Sequence, residues 1–151
     1  MSGEPQRIEV MLETLLDSVV LAENICMRVA ASAGFDEDDS LKICMAVREA
    51  VINAFRYGNE EQREKKIRMI VEVDDARFVV HIEDQGRGFD LESVPDPLAE
   101  ENLEKTSGRG ILLMKAFMDE FEVRRTSSGG TRLVMSKKLP CSHDGVTPHR
   151  A

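Results

Sequence analysis

Apolar side chains recur along the chain at two periods, one helical and one alternating. From Thr14 to Ala33, the residues Leu15, Val19, Ala22, Ile25, Val29 and Ala33 return every three or four positions, which predicts a helix with one buried face. Gly34 is placed to close it just past the last turn. The run Asp36-Glu37-Asp38-Asp39-Ser40 supplies caps and first-turn acids for a second helix. Its stripe of Ile43, Ala46, Val47, Ala50, Val51 and Ala54 carries it to about Tyr57, and Gly58-Asn59 stops it. Residues 7–12 read as a short leading strand. Residues 66–73 and 77–83 are roughly alternating and β-rich, with Asp74-Asp75-Ala76 as a hairpin turn between them. A third helix is expected at about 108–118. Two further strands, near 120–126 and 131–137, flank Ser127-Ser128-Gly129-Gly130. Strands that follow one another through short turns pair antiparallel, and helices then cover one face. The class is α+β, a two-layer sandwich on a mostly antiparallel sheet.

One stretch breaks this economy. Residues 84–107 are polar, rich in glycine and acid, and long for a connection in a chain of 151 residues. Connections of that length are usually functional. The chain is read as one domain over residues 7–138, followed by a polar tail at 139–151.

Composition narrows the possible functions. Twenty basic and 28 acidic side chains leave a net charge of −8, which argues against a general nucleic-acid or membrane-surface role, both of which need basic patches. No apolar run is long enough for a spanning helix, and Met1 to Pro5 do not resemble the start of a signal peptide. Cys26, Cys44 and Cys141 are an odd number without metal spacing, and His81, His143 and His149 are scattered. A reduced, cytoplasmic protein is expected.

Three local features could carry chemistry. Glu49 and Asn53 stand four apart and so project from one helix face. Asn is a poor residue for a helix interior, and a carboxylate beside an amide oxygen can hold a hard cation or orient a water. The alternative is a merely polar face. Second, Asp84-Gln85-Gly86-Arg87-Gly88 follows a hydrophobic strand. A carboxylate at a sheet edge can accept from an exocyclic amine, and glycines allow close approach of backbone to ligand; an ordinary strand-ending turn has the same composition. Third, Thr106-Ser107-Gly108-Arg109-Gly110 opens a helix, where free amides and the dipole favour an anion. It can equally be a capped helix start with Ser107 as N-cap. It is neither a Walker A loop nor a dinucleotide fingerprint.

In this order the motifs resemble those of the GHKL ATPase superfamily, shared by gyrase, Hsp90, histidine kinases and MutL. Residues 49–58 resemble the N box, residues 84–88 the G1 box and residues 108–110 the G2 box, while Gly129-Gly130-Thr131 resembles the final turn. Within it, Glu49-Ala50-Val51-Ile52-Asn53-Ala54 with Gly58 is most similar to the RsbW/SpoIIAB-type anti-sigma factor serine kinases. The stretches Gly88-Phe89-Asp90 with Val94-Pro95-Asp96-Pro97-Leu98, and Phe117-Met118-Asp119-Glu120, are also similar to that branch.

The resemblance implies an ATP-binding α/β sandwich with a mixed, mostly antiparallel sheet, often as a homodimer. It implies a protein that binds a sigma factor and phosphorylates a serine on a STAS-domain antagonist. Glu49 would be the general base, and Asn53 would bind Mg2+. Asp84 would read the adenine amino group, with Gly86 and Gly88 shaping the pocket and Thr131 supporting it. Ser107, Gly108 and Gly110 would cradle phosphates. Thr106 stands where some members carry a lid arginine, and Arg109 is the expected substitute. The polar loop from Asp90 to Ser107 would be the lid.

Overall fold

The computed structural model describes residues 5–86 and 108–140. Among the described residues, five strands and three α-helices follow in the order that the apolar periods predict. The first strand, β1, spans Gln6–Glu13; helices α1 and α2 span Asp17–Ser32 and Glu37–Asn53. Strands β2 (Lys66–Val73) and β3 (Arg77–Glu83) follow, then helix α3 (Gly108–Phe117) and strands β4 (Glu120–Arg125) and β5 (Thr131–Lys138).

The sheet runs β1-β2-β3-β5-β4, and every described pairing is antiparallel. The two hairpins, β2–β3 and β4–β5, are local. Their union through β3 and β5 is not, and it brings Glu83 level with Arg132. As a result, the end of β3 lies beside the start of β5, where the candidate site is built.

All three helices lie on one face of the sheet. Val19, Ala22, Cys26 and Ala30 of α1 share a core with Ile43, Ala46, Val47, Ala50 and Val51 of α2, and with Ile111 and Met114 of α3. The sheet contributes Ile67, Met69 and Val71 from β2, Phe78, Val80 and Ile82 from β3, and Leu133 and Met135 from β5. On β3 these core residues alternate with Val79, His81 and Glu83 on the opposite face. Burial at alternating positions fixes the register, because a one-residue slip would turn the core set outward.

Local signals act where expected. Gly34 has φ of +106° after α1, and the Asp36 carboxylate accepts from the amide of Asp39 at 2.8 Å to cap α2. Asp74 Oδ1 accepts from the amides of Ala76 and Arg77 and so shapes the β2–β3 turn. In the β4–β5 turn, Gly129 has φ of +99° and the amide of Gly130 donates to Thr126 Oγ1. Burial pushes the Cys26 thiol up to about 12, as befits an inert core cysteine.

One local expectation needs correction. The second helix does not remain α-helical to Tyr57. It ends at Asn53 and continues as a single π-helical turn, Ala54–Gly58, closed by the amide of Asn59 donating to the Ala54 carbonyl at 2.7 Å. The wider turn interrupts the helical period just after Asn53, and such turns occur often at functional sites. The tail expected at 139–151 begins with Leu139, which still packs on the core; residues 141–151 lie outside the described residues.

Candidate functional site

Asp84 is the first residue after β3 and is only 8% exposed. Its backbone amide donates to the carbonyl of Thr131 at 2.9 Å. Its carboxylate Oδ1 accepts from the amide of Gly86 at 2.9 Å and from that of Thr131 at 3.2 Å. Burial pushes its pKa up from the ordinary value. Those two amide bonds and the charge of Lys65 oppose the rise, and nearby Glu83 adds to it. Two neutral donors on one oxygen hold the orientation of the carboxylate without neutralising it.

Three glycines leave room for this group. A Cβ on Gly58 would fall on the Asp84 carboxylate, one on Gly86 on the carbonyl of Gly58, and one on Gly130 on the carbonyl of Asp84. The absence of these side chains lets the π-turn, the end of β3 and the start of β5 converge. On the sheet face opposite the helices, Glu83 pairs with Arg68 of β2 and Arg132 of β5, which anchors the same strand end from behind.

Glu49 projects from α2 toward the start of α3, and Asn53 follows it by one turn on the same helix. A Cβ on Gly110 would lie 2.9 Å from Glu49 Oε1, so the carboxylate rests against the first turn of α3. Asn53 Oδ1 is buried and has no hydrogen-bond partner among the described residues. A buried amide oxygen left in that state is costly unless something binds it. A hard oxygen of this kind, one turn from a carboxylate, fits a divalent cation such as Mg2+.

Of the sequence candidates, Asp84, Gly86 and Thr131 meet at the end of β3. Glu49 and Gly110 meet where α2 faces α3, and Asn53 stands one turn further along α2. Gly108 is the first residue of α3, and Arg109 beside it is exposed. Gly88, Ser107 and the loop from Asp90 to Ser107 lie outside the described residues. Sequence reasoning treated Gly58 as part of a motif and as a helix stop, and missed its contact with Asp84. It read Asn59 only as part of that helix stop, whereas the side chain is fully buried.

Comparison with known proteins follows the same outline. The family model described as histidine kinase-like ATPase domain matches residues 12–137. An anti-sigma F factor of Clostridium novyi is 29% identical over 147 residues, covering 92% of this chain and 97% of the relative. An anti-sigma F factor of Clostridium acetobutylicum is 30% identical, covering 89% of this chain and the whole of the relative. One of Clostridium botulinum is 36% identical over 105 residues, covering 68% and 73%. The crystal structure of the RsbU and RsbW domains of Rv1364c from Mycobacterium tuberculosis shares the fold, with a TM-score of 0.63 and 18% identity. That likeness covers 89% of this chain and 32% of the longer one.

Proposed function

The chain belongs to the histidine kinase-like ATPase family and, within it, with the anti-sigma factors, and we propose that it is an ATP-dependent serine/threonine kinase that also binds a sigma factor. The observation that carries the reading is the pairing of a pinned, buried Asp84 with a second cluster on α2, Glu49 and the unpartnered Asn53.

In this reading Asp84 accepts a hydrogen bond from the adenine amino group, and Gly58, Gly86 and Gly130 keep the approach open. Thr131 supports Asp84 through its backbone; Gly88 and Ser107 complete the pocket as the motif order suggests. The amides of the first turn of α3, at Gly108, Arg109 and Gly110, meet the phosphates, and the helix dipole favours their charge. Asn53 Oδ1 would hold Mg2+, which supplies neutralisation of phosphate oxygens. Glu49 orients the substrate hydroxyl and takes its proton as the phosphoryl is transferred. Arg109, exposed at the helix start, supplies a cation to the terminal phosphate.

The acceptor is a serine on a STAS-domain antagonist, and transfer releases the sigma factor. The protein acts in the cytoplasm as a homodimer, without touching nucleic acid or membrane itself. Among the described residues no helix is long and apolar enough to cross a membrane. Mixing the protein with Mg-ATP and a cognate STAS-domain protein should yield phosphoserine on the latter. Tight ATP binding with no transfer would instead establish a second reading, a nucleotide-set binding regulator. The presence of Thr106 where some members have an arginine favours that alternative.

A further inference from the structure

Asn59 is fully buried, and its side-chain amide is fully used. Its Nδ2 donates to Thr14 Oγ1 at 2.8 Å and to the Lys66 carbonyl at 3.0 Å. Its Oδ1 accepts from the amide of Gln85 at 2.7 Å. One side chain thereby ties together the exit of β1, the entry of β2 and the turn after β3. Two neighbouring bonds reinforce the same junction. Thr14 Oγ1 donates to the Lys65 carbonyl at 2.6 Å, and Gln85 Oε1 accepts from the amide of Lys66 at 2.7 Å.

The chain is bent to allow this. Glu60 and Glu61, directly after Asn59, have φ of 52° and 59°. Two successive non-glycine residues in the left-handed region are strained and persist only where their surroundings impose them. A buried asparagine that merely satisfied a turn would bond locally. This one instead reaches residue 85, whose amide lies between Asp84 and Gly86.

The position of Asn59 gives the clamp a function. Gly58, the residue before it, faces the Asp84 carboxylate with its Cα and Gly86 with its carbonyl. Asn59 therefore fixes both sides of the narrow gap that holds Asp84. Glu49, Asn53 and the start of α3 lie outside this network.

We propose that Asn59 is a positioning residue that sets selectivity for the adenine base, acting through Gln85 and Gly58 on Asp84. The proposal rests on the nucleotide-binding reading above. Base discrimination through a buried hydrogen bond depends on placement, because a misplaced acceptor no longer separates an amino group from a carbonyl. Loss of the clamp should erode discrimination at the base and leave the phosphate end as it was.

The test is calorimetric titration of ATP and inosine triphosphate, each with Mg2+, into wild type and Asn59→Ala, with folding of each checked by circular dichroism. Wild type should prefer ATP by roughly tenfold or more, as polar recognition of a base group provides. In Asn59→Ala the ratio should fall toward one, with inosine triphosphate affinity kept within about threefold, because the phosphate contacts are intact. If wild type binds neither nucleotide, the nucleotide-binding reading fails and the proposal with it; if it binds both equally, that reading stands and the proposed selectivity is overturned. If wild type discriminates and a folded Asn59→Ala retains the full ratio, or loses both nucleotides equally, the reading stands and the positioning role is rejected. Should Asn59→Ala not fold, Thr14→Val removes one partner of the clamp at constant shape. It should lower the same ratio by a smaller factor, and an unchanged ratio would overturn the proposal.

Discussion

At the end of β3, polar groups are matched before any ligand arrives. Asp84 Oδ1 takes two amides, and Asn59 takes three groups from three elements. On α2, by contrast, Asn53 Oδ1 is buried with no partner among the described residues. The first end resembles a core, in which fixed geometry serves recognition. The second resembles half of a coordination site, in which an unmet need serves binding. On the proposed function, a chain of net charge −8 must hold a polyanion against its own field, and the contrast suggests how. In the proposed reading, selectivity is built into the fold at the base end, while attraction at the phosphate end depends on amides, a cation and few local charges.

The largest effect expected from breaking this contrast is at Glu49. Glu49→Gln should keep nucleotide affinity and lower phosphoryl transfer by roughly 10²–10⁴-fold, the usual worth of a general base. A single-turnover assay with labelled ATP reads both quantities, and an unchanged rate would reject Glu49 as the base.

Next is Gly58→Ala. Its new methyl group would fall on a carboxylate that cannot retreat, because two amides pin it. A loss of about 1–3 kcal/mol in urea unfolding, typical of overpacking, is expected together with loss of nucleotide binding.

Asp84→Asn should separate binding from stability. A charge-assisted hydrogen bond to the base is worth about 1.5–3 kcal/mol, so ATP affinity should fall by roughly ten- to a hundredfold. Stability should move the other way. Burial raises the folded pKa of Asp84 above its ordinary 3.8, so its favourable contribution is present below that value and is lost as pH rises through the folded pKa. The amide carries no such penalty. The variant should therefore melt higher than wild type at pH 7, with the gap closing as pH falls toward 4. A lower melting temperature at pH 7 would contradict the account of Asp84 as a buried, penalised charge.

Much of this arrangement could be read from the chain. Apolar periods located both hairpins and all three helices, because burial on one face leaves a period of about 2 or 3.6. Asp84 and Glu49 stood out by the company they keep in sequence. The π-turn after Asn53 was not legible, because its cause is tertiary: the amide of Asn59 finds the Ala54 carbonyl only once its side chain is clamped to β1, β2 and the turn after β3. The meeting of β3 with β5 was hidden for a similar reason. Hairpins are set by local turns, whereas that pairing joins residues 49 to 61 positions apart. Residues such as Gly58, whose importance lies in what a side chain there would strike, leave no periodic trace.

The difference between a finished base end and an unfinished phosphate end is tested most directly at Asn53. ATP affinity can be measured by calorimetry with Mg2+ and with chelator, in wild type and Asn53→Ala. Wild type should bind more tightly with Mg2+, and Asn53→Ala should lose that gain, since it removes a buried oxygen that has no partner among the described residues. Equal ATP affinity with and without Mg2+ in wild type would contradict the account.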